Sequence, residues 1–339
     1  MVAFVDVANT VRWASSTGIE PLMLGLIKYI EDDFKNWEHF DKTPRVASHS
    51  TFGVIELMPT SNGEMYGFKY VNGHPINTKV GKQTVTAFGV LADVESGYPI
   101  FLSEMTLLTA LRTAATSAMA AKYLARPDSE TLALIGTGAQ SEFQSLAFRA
   151  ALGVNRLRLF DTDPEAMDKL VANLAPLGFD LTICSSAEEA VDGVDIITTC
   201  TADKRNATVL HDDLVVSGVH INAIGGDCPG KTELDATILH RGPVFGEFPP
   251  QTRIEGELQH FDDTFPVVEL WRVINDDHPG RTSPDEITIF DSVGFAIEDF
   301  SALRFLRDGT AGTDFEVEID LIADPADPKD LYSLLNRED

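Results

Sequence analysis

The sequence predicts an α/β protein in which a Rossmann-type, doubly wound parallel sheet is joined to a second, α+β part. Three observations carry this. A short apolar run, Thr131–Ile135, leads at once into Gly136-Thr-Gly138-Ala-Gln-Ser141 and then into a helical pattern with Phe143, Leu146, Ala147 and Ala150 on one face. From Thr131 onward strand-like and helix-like stretches alternate, the signature of parallel β-α-β units. From Arg45 to Ser103 the period is instead that of strands, rich in β-branched and aromatic residues. Strand, tight glycine turn and helix form the context in which a pyrophosphate can approach bare backbone and the positive end of a helix. Ser141 replaces the third glycine of that fingerprint and is still small; an ordinary strand-to-helix turn is the alternative.

Taken in order, residues 19–40 read as an amphipathic helix, with Leu22, Leu26, Ile30 and Phe34 four apart and Trp37 continuing the stripe. Strands are expected at Val54–Met58, Tyr66–Val71 and Thr84–Val94, with turns at Pro59–Gly63 and Asn72–Asn77. Asp93–Gly97 makes a hairpin turn into Tyr98–Leu102. Met105–Ala125 is an alanine- and leucine-rich helix stopped by Arg126-Pro127. Arg156–Phe160 is the second parallel strand and Pro164–Leu174 its helix, with Pro in the first turn. Ser186 and Glu189 make a capping box. Asp195–Cys200, His220–Gly225, Val244–Phe248 and Ile287–Phe290 read as further strands, and the helix Gly294–Leu306 completes the parallel-sheet domain. Phe315–Leu321 alternates and returns to the first sheet; Asp324–Asp330 reads as a surface segment. The expected division is 1–125 plus 307–339 as one domain and 126–306 as the Rossmann domain.

A chain of 339 residues with 44% hydrophobic and 23% charged residues is that of a globular protein with a large core. The N-terminus lacks a basic start and apolar core of a signal peptide, and no run is long enough to span a bilayer. Three dispersed cysteines fit a reducing compartment, so a cytoplasmic location is expected. Histidines and cysteines show no ligand spacing, so no metal is expected. A net charge of −27 opposes nucleic acid and anionic membrane as partners.

Several residues stand out chemically. Asp161 ends the second strand, where a carboxylate accepts both ribose hydroxyls and repels a 2′-phosphate, favouring NAD over NADP. The loop Asn222–Leu234 follows a strand and carries Asp227 and Lys231 on a glycine-rich backbone; a solvated turn with a salt bridge is the competing reading. Arg45, Glu56 and Lys69 are charges set in apolar strands. Each alone fits a wet strand face, but together they suit an amino-acid zwitterion. An Arg grips a carboxylate bidentately, and a partly desolvated Lys near another cation loses its proton more easily. Arg112, a lone cation in a small and apolar helix, suits a phosphate or carboxylate.

Arg45-Val-Ala-Ser-His-Ser, Gly67-Phe-Lys-Tyr-Val-Asn-Gly-His-Pro, Thr109-Ala-Leu-Arg-Thr-Ala-Ala-Thr-Ser, Gly136-Thr-Gly-Ala-Gln-Ser, Gly225-Gly-Asp-Cys-Pro-Gly-Lys-Thr-Glu-Leu and Asp291-Ser-Val-Gly-Phe-Ala resemble the family of bacterial ornithine cyclodeaminase and mu-crystallin. The resemblance runs from near the N-terminus to about residue 335, and one departure in detail is the region 275–285. It implies a homodimer built through the first domain and NAD bound tightly by the second. It implies conversion of L-ornithine to L-proline and ammonia without net redox change, hydride leaving the α-carbon and later returning to a cyclic imine. Carried over, it places Arg45 and Lys69 on the substrate carboxylate, Arg112 near that carboxylate and the cofactor phosphate, and Val293 against the substrate. It places Thr84, Arg112, Gly136, Gly138, Ala139, Gln140, Asp161, Thr201, Ile224, Gly225, Gly226, Asp227, Lys231 and Ser292 around NAD. Asp227 is the implied proton donor and acceptor, a task eased if desolvation raises its pKa. Glu56 would face the amino groups, and Lys69 would assist proton transfer at the departing one. Lysine cyclodeaminase, an NAD-linked ketimine reductase or alanine dehydrogenase, and a crystallin-like binder are the alternatives.

Overall fold

The computed structural model describes residues 1–202 and 208–336. Residues 203–207 and 337–339, which fall inside the two expected domains, lie outside the described residues. The chain begins with β1 (Val2–Val5), α1 (Val7–Thr17) and α2 (Ile19–Lys35). The Leu22, Leu26, Ile30 and Phe34 stripe of α2 is wholly buried. Then follow β2 (Val46–His49), β3 (Val54–Ser61), β4 (Met65–Gly73), β5 (Val85–Asp93) and β6 (Pro99–Glu104). With a late strand, β15 (Val317–Ile319), they form one sheet in the order β15-β1-β6-β5-β4-β3-β2, antiparallel except for the β1–β6 pair. β3 runs through Pro59 to Ser61, so the turn expected at Pro59–Gly63 is shorter. β2 pairs with β3 only as far as Leu57, which leaves one flank of β3 without a ladder where the proline lacks its N–H.

The second half alternates as the periodicity requires. α3 (Thr106–Leu124) leads into β7 (Thr131–Ile135), α4 (Ser141–Leu152), β8 (Arg156–Phe160), α5 (Pro164–Leu174), β9 (Asp180–Ile183), α6 (Ala187–Val191), β10 (Ile196–Thr199) and β11 (His220–Ala223). β12 (Val244–Gly246), α7 (Pro249–Glu255), β13 (Val268–Glu269), α8 (Leu270–Ile274), β14 (Thr288–Asp291) and α9 (Ala296–Thr310) complete it. Its sheet is parallel throughout, in the order β13-β12-β14-β11-β10-β7-β8-β9. The strand order reverses between β7 and β10, and a crevice for ligands opens at the carboxyl ends beside such a reversal.

One expectation is corrected. The helix that begins near Gly294 does not complete the parallel-sheet unit. Phe300, Leu303 and Leu306 of α9 pack in one core with Leu91 and Phe101 of the antiparallel sheet and with Leu26 and Ile30 of α2. A helix's own periodicity says which face is apolar and not which sheet covers it. This packing brings Glu298 and Asp299 under β4, next to Lys69.

Candidate active site

Most of the residues assigned to NAD follow carboxyl ends of parallel strands. Gly136 to Gln140 follow β7, Asp161 follows β8, Thr201 follows β10, Ile224 to Lys231 follow β11 and Ser292 follows β14. Gly136 has φ +101°, and a Cβ there would lie 2.8 Å from the Cys200 carbonyl carbon and oxygen. A side chain is therefore excluded both by conformation and by the neighbouring strand. Gly138 is exposed and faces open space. The N–H groups of Gly138, Ala139 and Gln140 make no hydrogen bond to any described residue. Gln140, the N-cap of α4, makes no side-chain cap bond. A turn with free donors at a helix N-terminus fits a pyrophosphate. Ser141, in place of the third glycine, is buried and its hydroxyl donates to the Gly138 carbonyl at 2.7 Å. Asp161 accepts from the Thr137 N–H at 2.6 Å and the Asp163 N–H at 3.0 Å, which fixes its carboxylate beside the turn. A Gly136→Ala change should destabilise the fold by about 1–3 kcal/mol and empty the cofactor site, checked by urea unfolding and by NAD released on acid denaturation.

The loop after β11 rests on buried carboxylates. Thr201 donates its N–H to Glu233 at 3.0 Å, and the Lys231 ammonium donates to the Thr201 carbonyl at 2.9 Å. A Cβ on Gly225 would fall 1.9 Å from the Glu233 carboxylate, so a side chain there would have to move Glu233 off Thr201. Glu257 in turn accepts the N–H groups of Glu233 and Leu234, and Asp291 accepts those of Glu257 and Leu258. Burial pushes Glu257 up to about 8 and Asp291 up to about 7. Asp227 itself is 57% exposed and its carboxylate lies 3.3 Å from the Lys231 ammonium. The loop presents Asp227 to solvent, so burial within this chain does not supply the desolvation that would ease its proton uptake.

On the side of the antiparallel sheet, Arg45, Glu56 and Lys69 all point inward. On β3 and β4 the buried positions are those of Glu56 and Lys69, so the charges face the core and Ile55 and Leu57 face out. Arg45 Nε lies 2.9 Å from Glu255 and Nη1 3.2 Å from Glu56. Its Nη2 donates to the carbonyls of Val293 and Gly294 at 2.6 and 2.8 Å. Lys69 is fully buried and its ammonium sits 2.8 Å from Asp299. Burial and then the charge of Arg112 lower Lys69 to about 8. Arg112 reaches the same Asp299 oxygen at 2.9 Å and Glu298 at 2.6 Å, and it lies against Gly294. Burial raises Glu298 to about 8 although Arg112 opposes it. Ser292 donates its hydroxyl to the buried Glu247, which also accepts the Gly294 N–H at 3.2 Å.

The structure thus joins Arg45, Glu56, Lys69, Arg112, Val293 and Ser292 into one network. Thr84 stands apart. Its carbonyl accepts from His74, and it lies five positions along the strand direction from Gly89, the residue paired with Lys69, roughly 17 Å at strand rise. Glu247, Glu255, Glu298 and Asp299 were missed from sequence; Glu247, Glu298 and Asp299 are carboxylates in otherwise apolar or aromatic stretches, whereas Glu255 sits in a polar one, Gln251-Thr-Arg-Ile-Glu-Gly-Glu257, that carries no such signal. The region 275–285 is anchored by Arg281 on the Leu124 carbonyl at 2.7 Å and on Thr288 at 2.9 Å. Thr288 opens β14, so this region lies at the sheet edge opposite the glycine loops.

A family model described as the ornithine cyclodeaminase/mu-crystallin family matches residues 7–314. The sequence is 63% identical over 337 residues to the ornithine cyclodeaminase of Agrobacterium fabrum (strain C58), covering 99% of this chain and 95% of that protein. A solved lysine cyclodeaminase, studied for its recognition of L-lysine, L-ornithine and L-2,4-diaminobutyric acid, superposes with TM-score 0.93 at 30% identity, over 98% of this chain and 99% of that one. An archaeal alanine dehydrogenase dimer with bound NAD superposes with TM-score 0.86 at 29% identity, over 95% and 99%.

Proposed function

The chain belongs to the ornithine cyclodeaminase/mu-crystallin family, and on that premise we propose that it converts L-ornithine to L-proline and ammonia with NAD as its cofactor. The observation that carries this reading is the facing of two sets of groups. Arg45, Lys69 and Arg112 stand with buried carboxylates on one side, and Asp227 stands on the glycine loop on the other. When bound, NAD supplies a hydride acceptor at the substrate α-carbon and a donor to the cyclic imine. Gly136 to Gln140, Asp161, Thr201, Ile224 to Asp227, Lys231 and Ser292 would hold it, with Thr84 as a further contact.

Arg45, Lys69 and Arg112 bind the substrate carboxylate and orient the α-carbon, with Val293 against the chain. The distal amine arrives as an ammonium, with a pKa of about 10.4 like that of lysine, and cannot attack. Asp227 takes its proton, and the freed amine closes a five-membered ring, a step favoured by proximity. Lys69 assists the amino group that departs. Glu56 faces the amines.

We place the protein in the cytoplasm as a homodimer. Val46, Ile55, Leu57 and Phe88 leave an apolar outer face on the antiparallel sheet, which a second copy would cover. No helix among the described residues is long and apolar enough to cross a membrane.

Incubation of the pure protein with L-ornithine and no added reductant should yield proline and ammonia one for one. Failure of that yield sinks the reading. Faster ammonia release from L-lysine would favour the six-membered ring instead, because one methylene changes binding in an apolar pocket by only ~1–3 kcal/mol. Net NADH formation would point to a dehydrogenase.

A further inference from the structure

Arg45 has five N–H donors; Nη1 and Nη2 are hydrogen-bonded within the chain, while Nε makes an ion-pair contact without a hydrogen bond. Nε faces Glu255 at 2.9 Å, Nη1 faces Glu56 at 3.2 Å, and Nη2 serves two backbone carbonyls. Two carboxylates against one guanidinium leave one negative charge over. Asp227, the third carboxylate near this group, is matched by Lys231. A surplus buried charge is costly unless a proton or a cation joins it. Glu255 and Glu56 are only 4% and 5% exposed, and Glu56 Oε1 has no hydrogen-bond partner among the described residues. The site therefore has buried acceptor capacity that the chain itself does not fill.

We infer that Glu255, together with Glu56, receives the distal ammonium of a diamino-acid substrate and so selects diamino over monoamino acids. This rests on the reading that Arg45 lines the substrate site. Burial pushes the Glu255 carboxyl up to about 7, with Glu56 and Asp227 adding to it and Arg45 opposing. Near neutrality the surplus charge is thus partly neutralised by a proton on Glu255. An arriving ammonium replaces that proton: the carboxylic acid becomes a carboxylate paired with R–NH3+, and one proton goes to solvent. No bond to carbon or nitrogen changes in this step. A monoamino acid brings nothing to exchange and gains nothing there. The charged groups facing Glu255 are Arg45, Glu56 and Asp227, with Lys231 beyond Asp227.

The test compares L-ornithine with L-norvaline, which has the same carbon chain without the distal amine, in the NAD-loaded protein and its Glu255→Gln and Glu255→Asp variants. Glu255→Gln should raise KM for ornithine by ~10- to 100-fold, as loss of a charged hydrogen bond does, and change norvaline inhibition by less than about threefold. Glu255→Asp, which keeps the charge, should recover most of the ornithine affinity. The acid limb near pH 7 in kcat/KM, where ornithine must displace a proton, should vanish in Glu255→Gln. Equal weakening of both ligands would show that Glu255 only shapes Arg45, and an unchanged ornithine KM would show that it does not meet the ammonium; either overturns the inference. If the wild-type protein turns no ornithine over, the functional reading falls by itself. Glu255 is then judged by the same comparison of the two ligands in thermal-shift binding.

Discussion

The Asp227→Asn variant is expected to lose ornithine turnover by ~10²- to 10⁴-fold, the range set by removal of a positioned general base. Asparagine keeps the shape of the side chain and an oxygen that accepts from Lys231, whose ammonium now lies 3.3 Å from the carboxylate. What it cannot do is take a proton from the distal ammonium. The glycine turn, Asp161 and the Lys231–Thr201 bond are untouched, so NAD should remain bound in normal amount. Ammonia release and acid-released NAD, measured on one preparation, check both halves. Wild-type-like turnover would remove Asp227 from the role given to it. The exposure of Asp227 bears on this role. A proton acceptor half open to solvent has an exit for the proton it takes.

The glycine turn was legible in the sequence because its constraint lies in the backbone. A residue with positive φ pressed against the next strand must be glycine whatever surrounds the fold. The charges in β3 and β4 were legible only as a group: alternation left each free to sit on a wet face, and it was two cations with one anion that suited a zwitterion. Their burial beside Met58 and Val71 is a finding of the structure. The answering groups were not legible. Asp299 lies 230 positions from Lys69, and Glu298 lies 186 from Arg112. These pairs exist because α9 crosses over to pack on the antiparallel sheet, a tertiary choice that the helix's own pattern does not encode. Glu255 was hidden in the same way, since Arg45 and α7 are far apart in the sequence and meet only in the tertiary structure.

Lys69→Met should lower kcat/KM for ornithine by ~10²- to 10⁴-fold through loss of a positioned proton-transfer group and carboxylate ligand, yet leave the fold standing. The two effects separate because of how Lys69 is paired. Asp299 keeps Arg112 at 2.9 Å when the ammonium is gone, so no buried carboxylate is orphaned. The ammonium itself is held at a cost: burial lowers its pKa to about 8 from the ordinary ~10.4. Between those values the unfolded chain binds the extra proton and the folded one does not, so the Lys69 contribution to stability improves as pH rises through that window. Binding runs the other way. Only the protonated form attracts a carboxylate, so KM for ornithine in the wild-type protein should climb above pH 8. Lys69→Met should show no such alkaline limb and no stability gain across the same range, read from urea unfolding at pH 7 and pH 9. An alkaline limb that survives in Lys69→Met would assign it to the substrate's own amine, whose free pKa lies close to that of lysine. The pH profile of the variant therefore distinguishes a titrating enzyme group from a titrating ligand, which a loss of rate alone cannot do.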